Sequence, residues 1–396
     1  MALFTLPPKA TVPGAYPDFL NFVEGNVDPD VTLTRRTLLP EWYPQSGVQL
    51  TWPHAATDWA YMLPEVTECY LRLAFEIARR EPLLIVSPEP EEVERLLREK
   101  LPAAVCDNIV FAACPTNDTW ARDHAFLTVG GGSAELELLD FRFNGWGDKF
   151  ESRLDNAINR TIFDRGHILG GTYTDCLDFC LEGGSIETDG RGTLLTTAQC
   201  LLNPNRNPQY GQSEIEDILS SRLGVNHFLW LTEGYLAGDD TDSHIDTLAR
   251  LCPDNTILYV KCADPSDEHY AALQRMEEQI KAFRTPEGEP YRLITVPMPP
   301  AVYDEDGDRL PATYANFLII NGSVLVPTYQ QEKKDRQALA TIQQAFPDRE
   351  LVAIDARTAI RQHGSLHCLT MQYPEGVIVP LADDEETHEG NAPFFT

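Results

Sequence analysis

The chain has 396 residues, 43% of them hydrophobic and 23% charged, a globular composition long enough to bury a sizeable core. With 61 acidic against 31 basic residues the net charge is −30, which argues against nucleic acid or an anionic membrane as partner and favours the approach of a small cation. The nine cysteines are an odd, scattered set. Cys176 and Cys180 are the nearest pair, and no second Cys or His pair at zinc spacing accompanies them. No metal or organic cofactor is expected, and all but one of the thiols read as structural and reduced. Residues 1–19 lack the continuous apolar stretch of a signal peptide, and no run approaches the roughly 18–20 residues that span a bilayer, so a cytoplasmic location is expected.

Short apolar runs of strand type alternate with helical ones along the chain. Residues 83–87 read as a strand, 91–100 as an amphipathic helix and 108–113 as a second strand. The runs 126–129 and 135–143 straddle Gly130-Gly131-Gly132 as a hairpin, and 185–188 and 193–197 straddle Asp189-Gly190, a stronger hairpin signal because both turn residues tolerate positive φ. A helix is expected to start over 245–251, followed by a strand at 257–262, a helix at 268–283 and a strand at 292–296. Next come a hairpin of 317–320 and 324–326 about Asn321-Gly322, a helix over 334–346 and a strand at 350–354. The acidic run Asp304-Glu305-Asp306-Gly307-Asp308 reads as a solvated turn, since it lacks the late glutamate of a calcium loop. No linker or composition shift marks a boundary, so one domain over 1–396, built from repeated α/β units rich in hairpins, is expected.

Four polar clusters lie far apart in this pattern: Asn117-Asp118-Thr119-Trp120-Ala121-Arg122-Asp123, Glu182-Gly183-Gly184-Ser185, Asp242-Ser243-His244-Ile245-Asp246, and His367-Cys368. A cysteine, a histidine and several carboxylates suit covalent attack on a planar cation: the thiolate attacks, the imidazole moves protons and the carboxylates hold the cation. Cys368 follows a glycine and adjoins a histidine, although a lone cysteine is more often an apolar packer. His244 and Asp246 can face one cavity if the histidine lies on the entering loop. Trp120 and Asp123 pair an aromatic face with a carboxylate, useful for a guanidinium, while the commoner fate is a core tryptophan beside a surface Arg122–Asp123 pair. Glu182 precedes two small residues that let a backbone or ligand come close.

Together these segments resemble the agmatine deiminase family, which includes the bacterial peptidylarginine deiminases within the guanidino-group-modifying superfamily. The resemblance begins at Leu50-Thr51-Trp52-Pro53-His54 with Asp58-Trp59 and runs through 117–123, Phe143-Asn144-Gly145-Trp146-Gly147, 182–192, 240–246, Tyr314-Ala315-Asn316-Phe317 and His367-Cys368. It implies a five-bladed, pseudosymmetric α/β propeller of ββαβ units. It also implies Cys368 as nucleophile, His244 as general acid and base, and Asp123 and Asp246 as guanidinium clamps. Glu182 would orient the histidine or bind the same nitrogens, Asn316 would lie near the nucleophile, and Trp120 would line the pocket.

Several positions depart from the family pattern. His124-Ala125 stands for Gly-Pro, His363-Gly364-Ser365 for a run of glycines, Asp240 for a tail-binding glutamate, and Ser243 for glycine. The substrate implied is a small cationic guanidine, agmatine first, with Asp240 meeting its distal amine. A peptidylarginine or other guanidine is the alternative, and it gains ground if Arg142 or Lys149 points into the cavity. An amidinotransferase would share the thiouronium step. A non-catalytic guanidine-binding module would keep Cys368 buried and distant from His244. A homo-oligomer is left open.

Overall fold

The computed structural model describes residues 35–378 except 133 and 166–168, so the reading of residues 1–19 and the ends of the expected domain fall outside the described residues. The described residues form one compact unit. Five sheets share a pattern, an antiparallel pair followed by a parallel strand, and in each the parallel crossover carries a helix.

In one, Leu127–Gly131 pairs antiparallel with Ala134–Arg142, which pairs parallel with Thr172–Cys180 after the helix Ile158–Asp164. In the next, Ile186–Thr188, Thr193–Thr197 and His227–Leu231 repeat the order around Gln212–Leu223. A third comprises Ala249–Cys252, Thr256–Lys261 and Arg292–Pro297 with Tyr270–Ala282, and a fourth Leu318–Ile320, Ser323–Thr328 and Glu350–Asp355 with Glu332–Ile342. The fifth joins the two ends of the fold: Thr370–Pro374 pairs antiparallel with Gln45–Thr51, which continues in parallel to Leu83–Ser87 and Ile109–Ala113.

The local reasons are legible. Leu83–Ser87 is buried at every position, as a parallel strand covered on both faces requires. The helix Pro90–Lys100 opens with proline and two glutamates and closes with Arg98 and Lys100, complementing its dipole. The expected strands and helices recur within a few residues, with one exception. The expected helix over 245–251 is instead a 3-10 turn, Ile245–Thr247, followed by the strand Ala249–Cys252. Asp254 and Asn255 adopt positive φ (58° and 49°) and close a hairpin to Thr256–Lys261, while the Leu251 N–H donates to Glu187 at 2.9 Å rather than to a helical carbonyl. The 304–308 turn behaves as expected, Asp304 Oδ1 accepting the Asp306 and Asp308 N–H groups at 3.0 and 2.8 Å.

This topology has a consequence for the site. Asp123, Gly184, Asp246, Asn316 and Cys368 each lie in the short segment just before the first strand of an antiparallel pair, one from each of the five sheets.

Candidate active site

Cys368 is 6% exposed. It is presented by a turn after the 3-10 segment Ala359–Gln362, where His363 takes φ +65° and Gly364 lies so close to the Trp120 ring that no Cβ would fit. Its Sγ lies 3.2 Å from Asn316 Nδ2 and 3.6 Å from Asp246 Oδ2. Asn316 Oδ1 accepts the His367 N–H at 3.0 Å, which ties the amide to the same turn. Burial pushes the thiol well above its ordinary pKa, and the charges of Asp246 and Asp123 add to the effect. At rest the group is a thiol, and a cation between the two carboxylates would oppose that shift.

The carboxylates are held differently. Asp123, on the short helix Ala121–His124, accepts the Trp146 indole N–H at 3.0 Å on Oδ2 and the Gly184 N–H at 3.0 Å on Oδ1. Burial raises its pKa to about 6, against the attraction of His244. Asp246 accepts from His367 Nδ1 at 2.7 Å on Oδ2, while its buried Oδ1 has no partner. Burial alone would raise this carboxyl, but the His367 N–H bond and charge bring it below its ordinary value. His244 lies at the entry to Ile245–Thr247, with Nδ1 3.7 Å from Asp123 Oδ1, and neither ring nitrogen has a hydrogen-bond partner. The loop before it is strained: Asp242 and Ser243 both take positive φ (64° and 66°), which explains why glycine suits position 243 in the family pattern.

Gly184 marks the centre. A Cβ there would lie 2.7 Å from His244 Nδ1, 2.9 Å from Asp123 Oδ1 and 3.1 Å from Asp246 Oδ2. Two carboxylates and an imidazole thus crowd one buried point, with the Cys368 thiol against one of those carboxylates, groups that suit a guanidinium and an attacking nucleophile.

Other expected residues are placed as follows. Trp120 is buried, its ring centroid 6.2 Å from that of Trp146 and its Nε1 donating to Asp118 Oδ2 at 3.1 Å. Arg122 is no surface partner of Asp123; it is buried and pairs with Glu41 at 3.1 Å. Glu182 makes no hydrogen bond to His244, because both its oxygens accept from Arg206 Nε at 2.9 Å. The half-exposed carboxylate of Asp240 lies 3.7 Å from His363 Nε2. Lys149 Nζ donates to the Asp240 carbonyl at 2.6 Å and Asp242 Oδ1 at 3.0 Å, and Arg142 is exposed. Trp146 and Arg206 were not among the expected site residues, although Trp146 lies in a segment that carries the resemblance.

Among the described residues two sets bring three metal-capable groups within 4.8 Å: Glu182, Cys200 and His244, and Glu41, Glu187 and His367. A guanidinium already sits in each, Arg206 on Glu182 and Arg250 on Glu41 and Glu187, so the carboxylates of both sets are engaged in ion pairs.

A sequence profile of the Porphyromonas-type peptidyl-arginine deiminase family matches residues 37–374. The agmatine deiminase of Pseudomonas fluorescens is 31% identical over 354 residues, spanning 84% of this chain and 94% of that protein. Two solved structures superpose over the same region. One, from Porphyromonas gingivalis and described provisionally as an arginine deiminase, is 52% identical at a TM-score of 0.82, covering 87% of this chain and all of that one. The other, a C. jejuni agmatine deiminase with substrate bound, is 37% identical at a TM-score of 0.79, covering 86% and 97%. With its profile, its relatives and its fold in agreement, the chain belongs to the family of agmatine deiminases and Porphyromonas-type peptidyl-arginine deiminases.

Proposed function

We propose that this chain is a hydrolytic deiminase that converts agmatine to N-carbamoylputrescine and ammonia through a covalent thiouronium on Cys368. The observation that carries the reading is the convergence of His244, Asp123 and Asp246 around Gly184, with Cys368 Sγ 3.6 Å from Asp246, one Asp246 oxygen unpaired and the imidazole of His244 unpaired, all of them buried. The guanidinium lies between Asp123 and Asp246, and its charge offsets the two that hold the thiol protonated. The thiol proton passes to His244, and the thiolate forms a C–S bond to the guanidinium carbon. The C–N bond breaks as His244 returns the proton to the departing nitrogen, leaving ammonia and a cationic thiouronium. Water then adds to that carbon and gives a proton to His244. The C–S bond breaks to release thiolate and a ureido product, and the surplus proton leaves as ammonium. Asn316 holds the sulfur in place, Trp120 walls the pocket, and Glu182 acts through Arg206, which also binds Asp242 Oδ2 at 2.7 Å and so steadies the loop carrying His244.

The rim supports an amine-ended substrate. Asp240 offers a half-exposed carboxylate, and Lys149 is tied to the 240–242 loop. Peptidyl or free arginine is the second reading, supported by the family's description and the 52% identity to the P. gingivalis structure. We carry three further expectations as parts of this proposal: the five sheets are blades of one propeller, the chain is a single domain, and it works in the cytoplasm. The test is ammonia and ureido-product release from agmatine, free arginine and a blocked arginine peptide, with wild type and Cys368→Ala. Turnover of agmatine that disappears in the variant is expected. Preference for the peptide would move the function to protein citrullination, and substantial activity in Cys368→Ala would overturn the covalent route.

A further inference from the structure

We propose that His367 is a positioning residue, an imidazolium held between two carboxylates that fixes Asp246 in one orientation and keeps it ionised for a cationic substrate. The inference rests on the deiminase reading and deepens it. The ring is fully buried. Its Nδ1 lies 2.7 Å from Asp246 Oδ2 and its Nε2 2.5 Å from Glu41 Oε1. A neutral imidazole has one N–H and would turn a lone pair toward a carboxylate oxygen at one end, whereas the imidazolium donates at both.

The surrounding charges point the same way. The groups facing His367 and its partners are Glu41, Asp246, Arg122 and Arg250, with Glu187 behind Arg250. Arg250 donates to Glu41 Oε2 at 2.6 Å and to Glu187, and Arg122 pairs with Glu41 at 3.1 Å. Three carboxylates against two guanidiniums leave this buried cluster one positive charge short, and one proton makes it neutral. Burial and the two arginines favour a neutral ring. The other seat for the proton is Glu187, which burial pushes up to about 8. Yet both Glu187 oxygens already accept N–H bonds, from Arg250 and Leu251, while His367 touches a carboxylate at each nitrogen. Arg250 Nη2 also approaches Nε2, at 3.1 Å, but the carboxylate of Glu41 is the shorter contact at 2.5 Å, so Nε2 donates to Glu41 rather than accepting from Arg250.

The consequence lies in the contrast between the two clamps. Asp123 is held by the neutral donors Trp146 and Gly184, and its pKa rises to about 6. Asp246 is held through Oδ2 by His367 and shifts down despite complete burial, and its second oxygen, buried and unpaired, is left for a substrate N–H. Cys368 and His244 are the remaining titratable groups beside it. Without the imidazolium Asp246 would follow Asp123 upward, and the site would hold its cation only at higher pH.

The experiment compares pH profiles of kcat/KM for agmatine in the full-length wild type, His367→Asn and Glu41→Gln. Asparagine keeps a donor near the Nδ1 position but no charge, and the glutamine keeps a side chain of the same size at 41 but removes the counter-charge. In both variants the acidic limb is expected to move up by about one pH unit, with KM on that limb rising about tenfold, KM at neutral pH about twofold, and kcat changing less. A role confined to folding would lower yield or melting temperature and leave the limb in place, and a limb that stays put in a folded variant overturns the proposal. Loss of fold in both variants would also overturn it, by showing that the cluster serves the fold. Failure of the deiminase reading is a separate result, wild type releasing no ammonia from any guanidine. The His367 claim is then judged on the pH dependence of agmatine binding to the same three proteins by calorimetry, and absence of binding sinks both.

Discussion

Gly184→Ala adds one methyl group at the point where the proposed machinery converges. Ordinary contact at 3.4 Å would require His244 Nδ1, Asp123 Oδ1 and Asp246 Oδ2 to retreat by about 0.7, 0.5 and 0.3 Å. Gly184 does not use the left-handed conformation, so alanine brings no backbone strain, and the cost falls on the three side chains. Two of them are carboxylates held by donors at 3.0 and 2.7 Å and cannot swing away without breaking those bonds. Displacements of several tenths of an ångström in three groups, together with the space lost to the substrate, are expected to lower kcat/KM about 100-fold, or about 2.7 kcal/mol. Overpacking should cost about 1–3 kcal/mol of stability, leaving a folded enzyme. Steady-state ammonia release from agmatine, with a melting curve on the same sample, tests both. A variant within about threefold of wild type would refute the claim that the substrate occupies the space above Gly184.

Two further predictions follow from the site's electrostatics and backbone. Asp123 binds a cation as the carboxylate, and its raised pKa of about 6 means that kcat/KM falls as pH drops through about 6; a profile flat down to pH 5 would contradict this assignment. Ser243 holds φ +66° without being glycine, so Ser243→Gly should raise stability by about 1 kcal/mol, read from the urea midpoint at unchanged slope, whereas a lower midpoint would show that the serine side chain supports the loop.

How much of this was legible beforehand depends on the range of the interaction. The hairpins at Asp189-Gly190 and Asn321-Gly322 were readable because their glycines take φ +70° and +68°, a local demand with a local signature. The helix expected over 245–251 failed because Ile245, Leu248 and Leu251 have helical spacing but serve a 3-10 turn and a strand buried at every position. The turn pair Asp254-Asn255 carried the opposing signal. The residues proposed to react were named through chemistry and resemblance, and the structure brings His244 and Asp246 to one point, the histidine at the mouth of the turn. Their supports were not found. Arg206 meets Glu182 from 24 positions away and Arg250 meets Glu41 from 209, pairings that leave no periodic trace in a sequence. Nor does spacing reveal that each sheet contributes its residue just before the first strand of an antiparallel pair, because that requires knowing which strands pair.

The central claim is that Cys368 carries the guanidino carbon during turnover. Mass spectrometry of the intact chain, acid-quenched within milliseconds of mixing with agmatine, reads that state directly. The account predicts an adduct with the mass of agmatine less ammonia, mapped to Cys368, decaying as ureido product appears and absent from Cys368→Ala. Product formation at the full rate with no adduct at any quench time, or an adduct on another residue, would contradict it.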